Sequence, residues 1–219
     1  MQIKNRLNIL FLTGWYPSKE NPAAGIFVKE HAKAVAIYND VTVIAYCAGT
    51  RSQRRFYEIS DNMEDGIRTI RIRFKTVSIP YASFIINVWG VISLFHKITK
   101  KRQYPDIIHA HVYEAGSMAI ILGKIHNIPV VITEHSTGFP SKKLTASTKI
   151  LARFAMRRAR KILPVSESLK KSIIDYKIRN DFVTVPNVVN TELFYPAQRE
   201  TIQQNKIKSE YETEINASK

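Results

Sequence analysis

The chain has 219 residues, with 33 Lys and Arg against 18 Asp and Glu for a net charge of +15, enough to bury a substantial core as one large domain or two small ones. That cationic excess calls for an anionic partner: nucleic acid, an acidic membrane surface or a phosphorylated small molecule. Cys47 is the single cysteine, which excludes an internal disulfide, fits a reducing compartment and, inside an apolar run, reads as a small buried hydrophobe.

Lys4 and Arg6 precede an apolar run of only residues 9–12, too short for the core of a secretory signal. A cytoplasmic location is therefore expected. Residues 7–13 form an apolar run without alternation, as in a central strand covered on both faces. Residues 14–25 are rich in turn formers, and Phe27, Val28, His31 and Val35 then recur at helical spacing. A loop entering a helix from a first strand offers free backbone N–H groups at the positive end of the dipole, which suits an anion. Gly25 at that junction would let a phosphate approach the backbone, but with the dinucleotide pattern Gly-x-Gly-x-x-Gly absent it reads first as a plain turn glycine.

Residues 41–45 read as a second strand. Within 56–73, Glu64-Asp65-Gly66 signals a turn, and Ile67, Ile70 and Ile72 then alternate in part with Arg68, Arg71 and Arg73, as in an edge strand or hairpin with a solvated arginine face. Residues 76–95 carry no charged side chain and match the length of a bilayer crossing, but Pro80, Asn87, Gly90 and several serines interrupt them. Phe84, Val88, Val91 and Phe95 predict a helix over 81–101. Three readings stay open for it: an internal helix packed on the sheet, an interfacial helix with an apolar face in a membrane, and a true span. Lys97, Lys100, Lys101 and Arg102 complement the dipole at its C-terminal end and would favour anionic lipid.

The rest of the chain is organised around residues 105–136. A short apolar run ends in His109-Ala110-His111, a helix-length segment follows, and a second apolar run ends in Thr133-Glu134-His135-Ser136. That is strand, helix, strand. Such a crossover is right-handed and places both strand ends on one edge of a parallel sheet, so His111 and His135 should meet there. In open parallel sheets that edge is where ligands bind; a histidine at a strand end also serves as a hydrogen-bonded packing residue. Downstream, residues 144–160 predict a helix with Arg153, Arg157 and Arg160 on a solvated face, and 161–165 a strand. Ser166 then caps another helix, and 182–185 form the last strand. Residues 197–219 are polar and read as a poorly ordered tail or a weak helix.

The alternation as a whole predicts a Rossmann-like, doubly wound, mostly parallel α/β sheet in a single domain. Four strings in order, Pro22-Ala-Ala-Gly25-Ile-Phe-Val28, Asp106-Ile-Ile-His-Ala-His111, Thr133-Glu-His-Ser136, and Ala159-Arg-Lys-Ile-Leu-Pro-Val-Ser166 with Val185-Pro-Asn187 and Leu193-Phe194, resemble the N-terminal half of glycosyltransferase family 4. Those are retaining enzymes of the GT-B fold. The resemblance implies two Rossmann-like domains facing each other across a cleft, the first holding the acceptor and the second the nucleotide-sugar donor. It implies that Gly25 approaches the donor diphosphate and that His111 is the catalytic histidine near the transferred sugar. His135, Glu134, Ser136 and Tyr113 become acceptor contacts. Asn187 resembles the asparagine of a Pro-Asn-Gly-Val-Asp string, although this chain has Val188 and Asn190 where that string has Gly and Asp, and Ala24 where the family commonly has a glycine. No cofactor or metal is expected, since cationic side chains and a helix N-terminus can carry the phosphate.

The expected organisation is an acceptor-binding domain over 1–196 and a polar tail or truncated linker over 197–219, with no donor domain. On that reading the chain is inactive alone and takes its donor grip from a separate polypeptide or a missing continuation. The expected function is transfer of a sugar to a saccharide or lipid-linked acceptor in cell-surface polysaccharide or glycolipid synthesis, at the inner face of the plasma membrane. The alternatives are a non-catalytic basic module docked on an anionic membrane and a nucleic-acid binder. The last is not expected, because Phe56-Tyr57 beside Arg54-Arg55 is the sole basic-aromatic patch.

Overall fold

The computed structural model describes residues 6–49, 54–76, 82–99 and 104–191. Residues 1–188 form one compact unit and 189–219 another. The first unit contains β1 (Asn8–Thr13), α1 (Ile26–Ala36), β2 (Asp40–Ala48), β3 (Tyr57–Glu64), β4 (Ile67–Phe74), α2 (Ala82–Ile98), β5 (Ile107–His111), α3 (Val112–His126), β6 (Val130–Glu134), α4 (Ala146–Arg158), β7 (Lys161–Pro164) and α5 (Glu167–Asp175). The strands form one seven-stranded sheet in the order β3-β4-β2-β1-β5-β6-β7. All neighbours are parallel except β3, which turns back on β4 through Asp65 and Gly66, both at positive φ. The expected doubly wound, mostly parallel sheet is thus the observed one.

Winding reverses between β1 and β5, since β2 lies on one side of β1 and β5 on the other. Open α/β sheets bind ligands at this reversal, where the flanking loops diverge. Thr13 and His111 are register partners there.

Alternation along the strands sorts residues to two faces. Ile9, Phe11, Val43, Ala45 and Ile67 pack beneath α1, with Val28 and Ala32. Leu10, Leu12, Ile44, Ile70 and Ile72 face the other way, with Val91, Leu94 and Phe95 of α2 and the apolar sides of α3 and α4. Gly90 lets α2 seat closely on β4, since a Cβ there would fall 2.3 Å from the Phe74 ring. Of the three readings of this helix, the internal one describes its packing, and no described helix is long and apolar enough to cross a membrane. Its outward apolar side chains are Ile85 (67% exposed) and Trp89 (56% exposed), while Phe84 and Val88 pack inward. Tyr81, Lys100, Lys101 and Arg102 lie outside the described residues, as do Leu193, Phe194 and the 197–219 tail.

Several expectations change in three dimensions. Cys47 is exposed, not buried. β2 outruns β1, whose last partner is Ala45, so Cys47 has a neighbour strand only on the β4 side. The predicted strand over 182–185 contracts to a single parallel bridge between Ile162 and Phe182. Arg153 and Arg157 do not simply face water: their guanidinium groups donate to the carbonyls of Tyr176 and Lys177, capping the end of α5 where carbonyls lack helical partners. Arg68 and Arg71 are likewise engaged, pairing with Asp61 and Glu64 on β3. Ser166 caps α5 as expected, accepting from the Leu169 N–H at 3.1 Å.

Candidate active site

β5 places His109 and His111 on the same face because they are two residues apart on a strand. Ile108 and Ala110 point into the opposite core, so the histidines share the α1 face with Phe11 of β1. His31 of α1 closes over them: its ring centroid lies 5.1 Å from His109 and 5.4 Å from His111, nearly perpendicular to both. His109 and His111 stack at 4.7 Å. At the end of β6, His135 stacks beside His111 at 5.3 Å, with His111 Nδ1 and His135 Nε2 3.1 Å apart. The two histidines expected to meet at the carboxyl edge do so.

Burial controls their chemistry. It drives His109 down to about 3 and His135 down to about 4, with neighbouring imidazoles adding to both and Asn187 opposing the fall at His135. The same cause, reinforced by His109, His135 and His31, holds His111 well below the ordinary imidazole value, and burial lowers His31. All are neutral at physiological pH. His109 Nε2 is satisfied by Thr133 Oγ1 at 2.6 Å, whereas His111 Nε2, His135 Nδ1 and Ser136 Oγ are buried without a hydrogen-bond partner in the protein. Unmet buried polar groups are costly, and here they cluster at the carboxyl edge of the sheet.

Two expected acceptor contacts turn inward. Glu134 has no exposed surface; its Oε2 accepts from the Tyr113 N–H at 3.1 Å, and its Oε1 accepts from the His135 and Ser136 N–H groups at 3.1 and 2.8 Å. A helix start leaves N–H groups unpartnered, and this carboxylate, arriving from β6, supplies the acceptor for α3 while tying down the loop after His135. Burial raises its pKa to about 7 against the lowering effect of those N–H groups. Tyr113 is 5% exposed and packs edge-on against Phe139 at 5.8 Å. Glu134 thus braces the rim from inside, with the Tyr113 backbone N–H held in its grip.

Two backbone positions are equally demanding. Val112, directly after His111, adopts φ 65°, a left-handed conformation that a β-branched residue takes only under constraint, at about 1–3 kcal/mol. Gly25 has φ 67°, and a Cβ there would stand 2.3 Å from the Trp15 carbonyl oxygen. Only glycine fits, and the loop after β1 is thereby locked against the start of α1.

Aromatic side chains complete the rim, and sequence reasoning did not single them out. Phe27 lies 4.4 Å from His135, and Trp15, 48% exposed, lies 6.2 Å from Phe27. A cleft of about 450 Å³ opens at the same edge, lined among others by Gly14, Trp15, Tyr46, Asn87, Val112 and Glu114. Another of about 500 Å³ lies at the opposite edge, among the strand starts Asn8, Asp40 and Arg68. The former adjoins the loops after β1 and β5 on the α2 and α3 side of the sheet, with Val112 lining it directly after His111, while the histidines themselves stand on the α1 side. Among the described residues, no group of three or more His, Cys, Asp or Glu is placed to hold a metal ion.

Comparison with known proteins identifies the family and the fold. The family described as Glycosyltransferase Family 4 matches residues 24–193. A Bacillus subtilis (strain 168) protein named as a teichuronic acid biosynthesis glycosyltransferase, TuaC, is 27% identical over 143 residues, covering 60% of this chain and 36% of that protein. Sucrose-phosphate synthase from Thermosynechococcus elongatus superposes with a TM-score of 0.61 at 15% identity, over 92% of this chain and 53% of the other. Anabaena HepE, solved with UDP and glucose, gives 0.60 at 13% identity, over 93% and 50%. The fold is that of one half of these GT-B proteins, and the chain spans about half the length or less of each relative.

Proposed function

This chain belongs to glycosyltransferase family 4, and from that premise we propose that it is the acceptor-binding half of a retaining enzyme that moves a sugar from a nucleotide-sugar donor to a saccharide or lipid-linked acceptor. The observation that carries this reading is the meeting of His111 and His135 at the winding reversal, each with a buried nitrogen left unpartnered. Neutral imidazoles hold hydroxyl groups without bringing a charge next to the reacting centre. Trp15 and Phe27 offer aromatic faces to the apolar side of a sugar ring. His111 is the catalytic residue in this proposal, His135 and Ser136 contact the sugar, and Glu134 and Tyr113 hold them in place. Gly25 brings the start of α1, with its outward N–H groups, toward the donor diphosphate. Closure of a facing donor domain would exclude water and neutralise the leaving group.

The relatives support the substrate classes: TuaC is named for teichuronic acid biosynthesis, and HepE was solved with UDP and glucose. The enzyme's products are accordingly cell-surface polysaccharide or glycolipid, made at the cytoplasmic membrane face. Residues 1–219 alone transfer no sugar, because donor grip belongs to the facing domain. The test is transfer of labelled sugar from nucleotide-sugar donors to lipid-linked and saccharide acceptors, by this chain alone and by the same chain joined to a family donor domain. Activity in the joined protein only is expected; transfer by the chain alone would overturn the half-enzyme reading.

A second reading, docking on anionic membrane, rests on Ile85 and Trp89, which project from α2 one turn apart. Flotation with phosphatidylglycerol-rich vesicles that is lost in Ile85→Glu/Trp89→Glu supports it, and equal flotation of both proteins refutes it.

A further inference from the structure

The contact between His111 and His135 constrains more than position. Two ring nitrogens 3.1 Å apart cannot both be bare or both carry hydrogen; one donates and the other accepts. Burial keeps both rings neutral, so each has one N–H. If His111 Nδ1 donates, His111 Nε2 is bare, and His135, whose Nε2 accepts, carries its hydrogen on Nδ1. If His135 Nε2 donates, the hydrogen of His111 sits on Nε2 and His135 Nδ1 is bare. Either way the rings share one tautomer, and their outer nitrogens play opposite roles. Those outer nitrogens, His111 Nε2 and His135 Nδ1, are the ones left buried without a partner of full hydrogen-bond geometry, although the Asn187 side chain stands close enough to His135 to raise its pKa by hydrogen bonding. His109 stands outside this unit, because its Nε2 is taken by Thr133 and it meets His111 only by stacking.

We propose that His111 and His135 act as one tautomer-coupled pair that reads two hydroxyl groups of a sugar in opposite senses, one hydroxyl donating to a bare imidazole nitrogen and the other accepting from an imidazole N–H. This deepens the sugar-transfer reading and rests on it. His135 is then also a positioning residue, since it fixes which role His111 Nε2 plays. A sugar lacking a hydroxyl at either end, or presenting it in the wrong sense, leaves a buried polar nitrogen unmet, which is the kind of loss that gives strong discrimination.

The pair can be examined in the 219-residue chain by NMR with ¹⁵N-labelled histidine. A ¹⁵N–¹⁵N coupling between His111 Nδ1 and His135 Nε2, with both rings in the same tautomer, is expected. His135→Phe, which keeps an aromatic ring against Phe27, should release His111 into a mixture of tautomers. Opposite tautomers in the wild-type rings, absence of the coupling, or a His111 tautomer unchanged in His135→Phe would each overturn the coupling. The wild-type measurements decide this even if the variant does not fold. Titration with glucose, galactose and mannose should shift both rings together for at least one sugar; shifts in one ring only, or in neither, would overturn the hydroxyl-reading role. These measurements report tautomers and not transfer, so their failure leaves the glycosyltransferase assay to stand or fall separately.

Discussion

Two pairs of histidines bring ring nitrogens within hydrogen-bond distance of each other, and they behave differently. His96 and His126, at the ends of α2 and α3, bring their Nε2 atoms to 3.0 Å on an exposed surface beside Tyr104. His111 and His135 make a contact of nearly the same length, 3.1 Å, inside the sheet edge. At the exposed pair, water solvates either ring and burial lowers the His126 pKa only in part. At the inner pair, burial removes the cationic form altogether, and each ring must find its partners within the site. Equal distance therefore carries unequal chemistry, and the surroundings decide which pair can serve a ligand.

Acid is the strongest way to break the inner pair. His109, His111 and His135 have folded pKa values below the ordinary 6.5, so their contribution is fully present above pH 6.5 and lost as pH falls toward 4. Glu134, raised from 4.5 to about 7, works in the opposite direction, its contribution present below 4.5 and lost as pH rises to 7. His31, also lowered by burial, joins the three imidazoles against Glu134, so protons are taken up on unfolding in acid and stability falls with pH. Urea midpoints measured from pH 7 to 4.5 should fall steeply. A flat profile would show that the inner histidines are hydrated.

Gly25→Ala attacks the same site from the loop above it. The left-handed backbone and the 2.3 Å approach to Trp15 together should cost about 3 kcal/mol, read as a lowered denaturant midpoint. In the enzyme joined to its donor domain, His111→Ala should lower kcat about 10²-fold, the scale of losing one preorganised polar contact to the transition state, while His126→Ala should leave kcat within twofold. Glu134→Gln exchanges one carboxylate oxygen for an N–H-bearing group that must face backbone N–H donors; a loss of about 2 kcal/mol in chemical denaturation is expected. The smallest effect belongs to the exposed pair: His126→Ala should change stability by less than about 0.5 kcal/mol.

Much of this was legible in the chain. The apolar run of residues 7–13, the Glu64-Asp65-Gly66 turn and the strand-helix-strand pattern of 105–136 each produced the element they imply, because strand burial and turn geometry are local demands. Chirality of the crossover was enough to bring His111 and His135 together. Cys47 was misread because exposure depended on β2 outrunning β1, a matter of register between strands far apart in sequence. Glu134 is drawn inward because α3 needs a hydrogen-bond acceptor that its own first turn does not provide. Trp15 and Phe27 carried no signal beyond being aromatic in or beside a loop.

The sequence by itself determined the order of strands and helices, the parallel sheet and the edge at which two imidazoles would stand, since hydrophobic period, turn chemistry and crossover handedness act over short stretches. Only the tertiary structure decided that His109, His111 and His135 stack with His31 edge-on over them, that Glu134 is a buried clamp and that Val112 is held in a left-handed turn. Those outcomes arise from neighbours 20 to 100 residues apart competing for the same few donors and the same dry space.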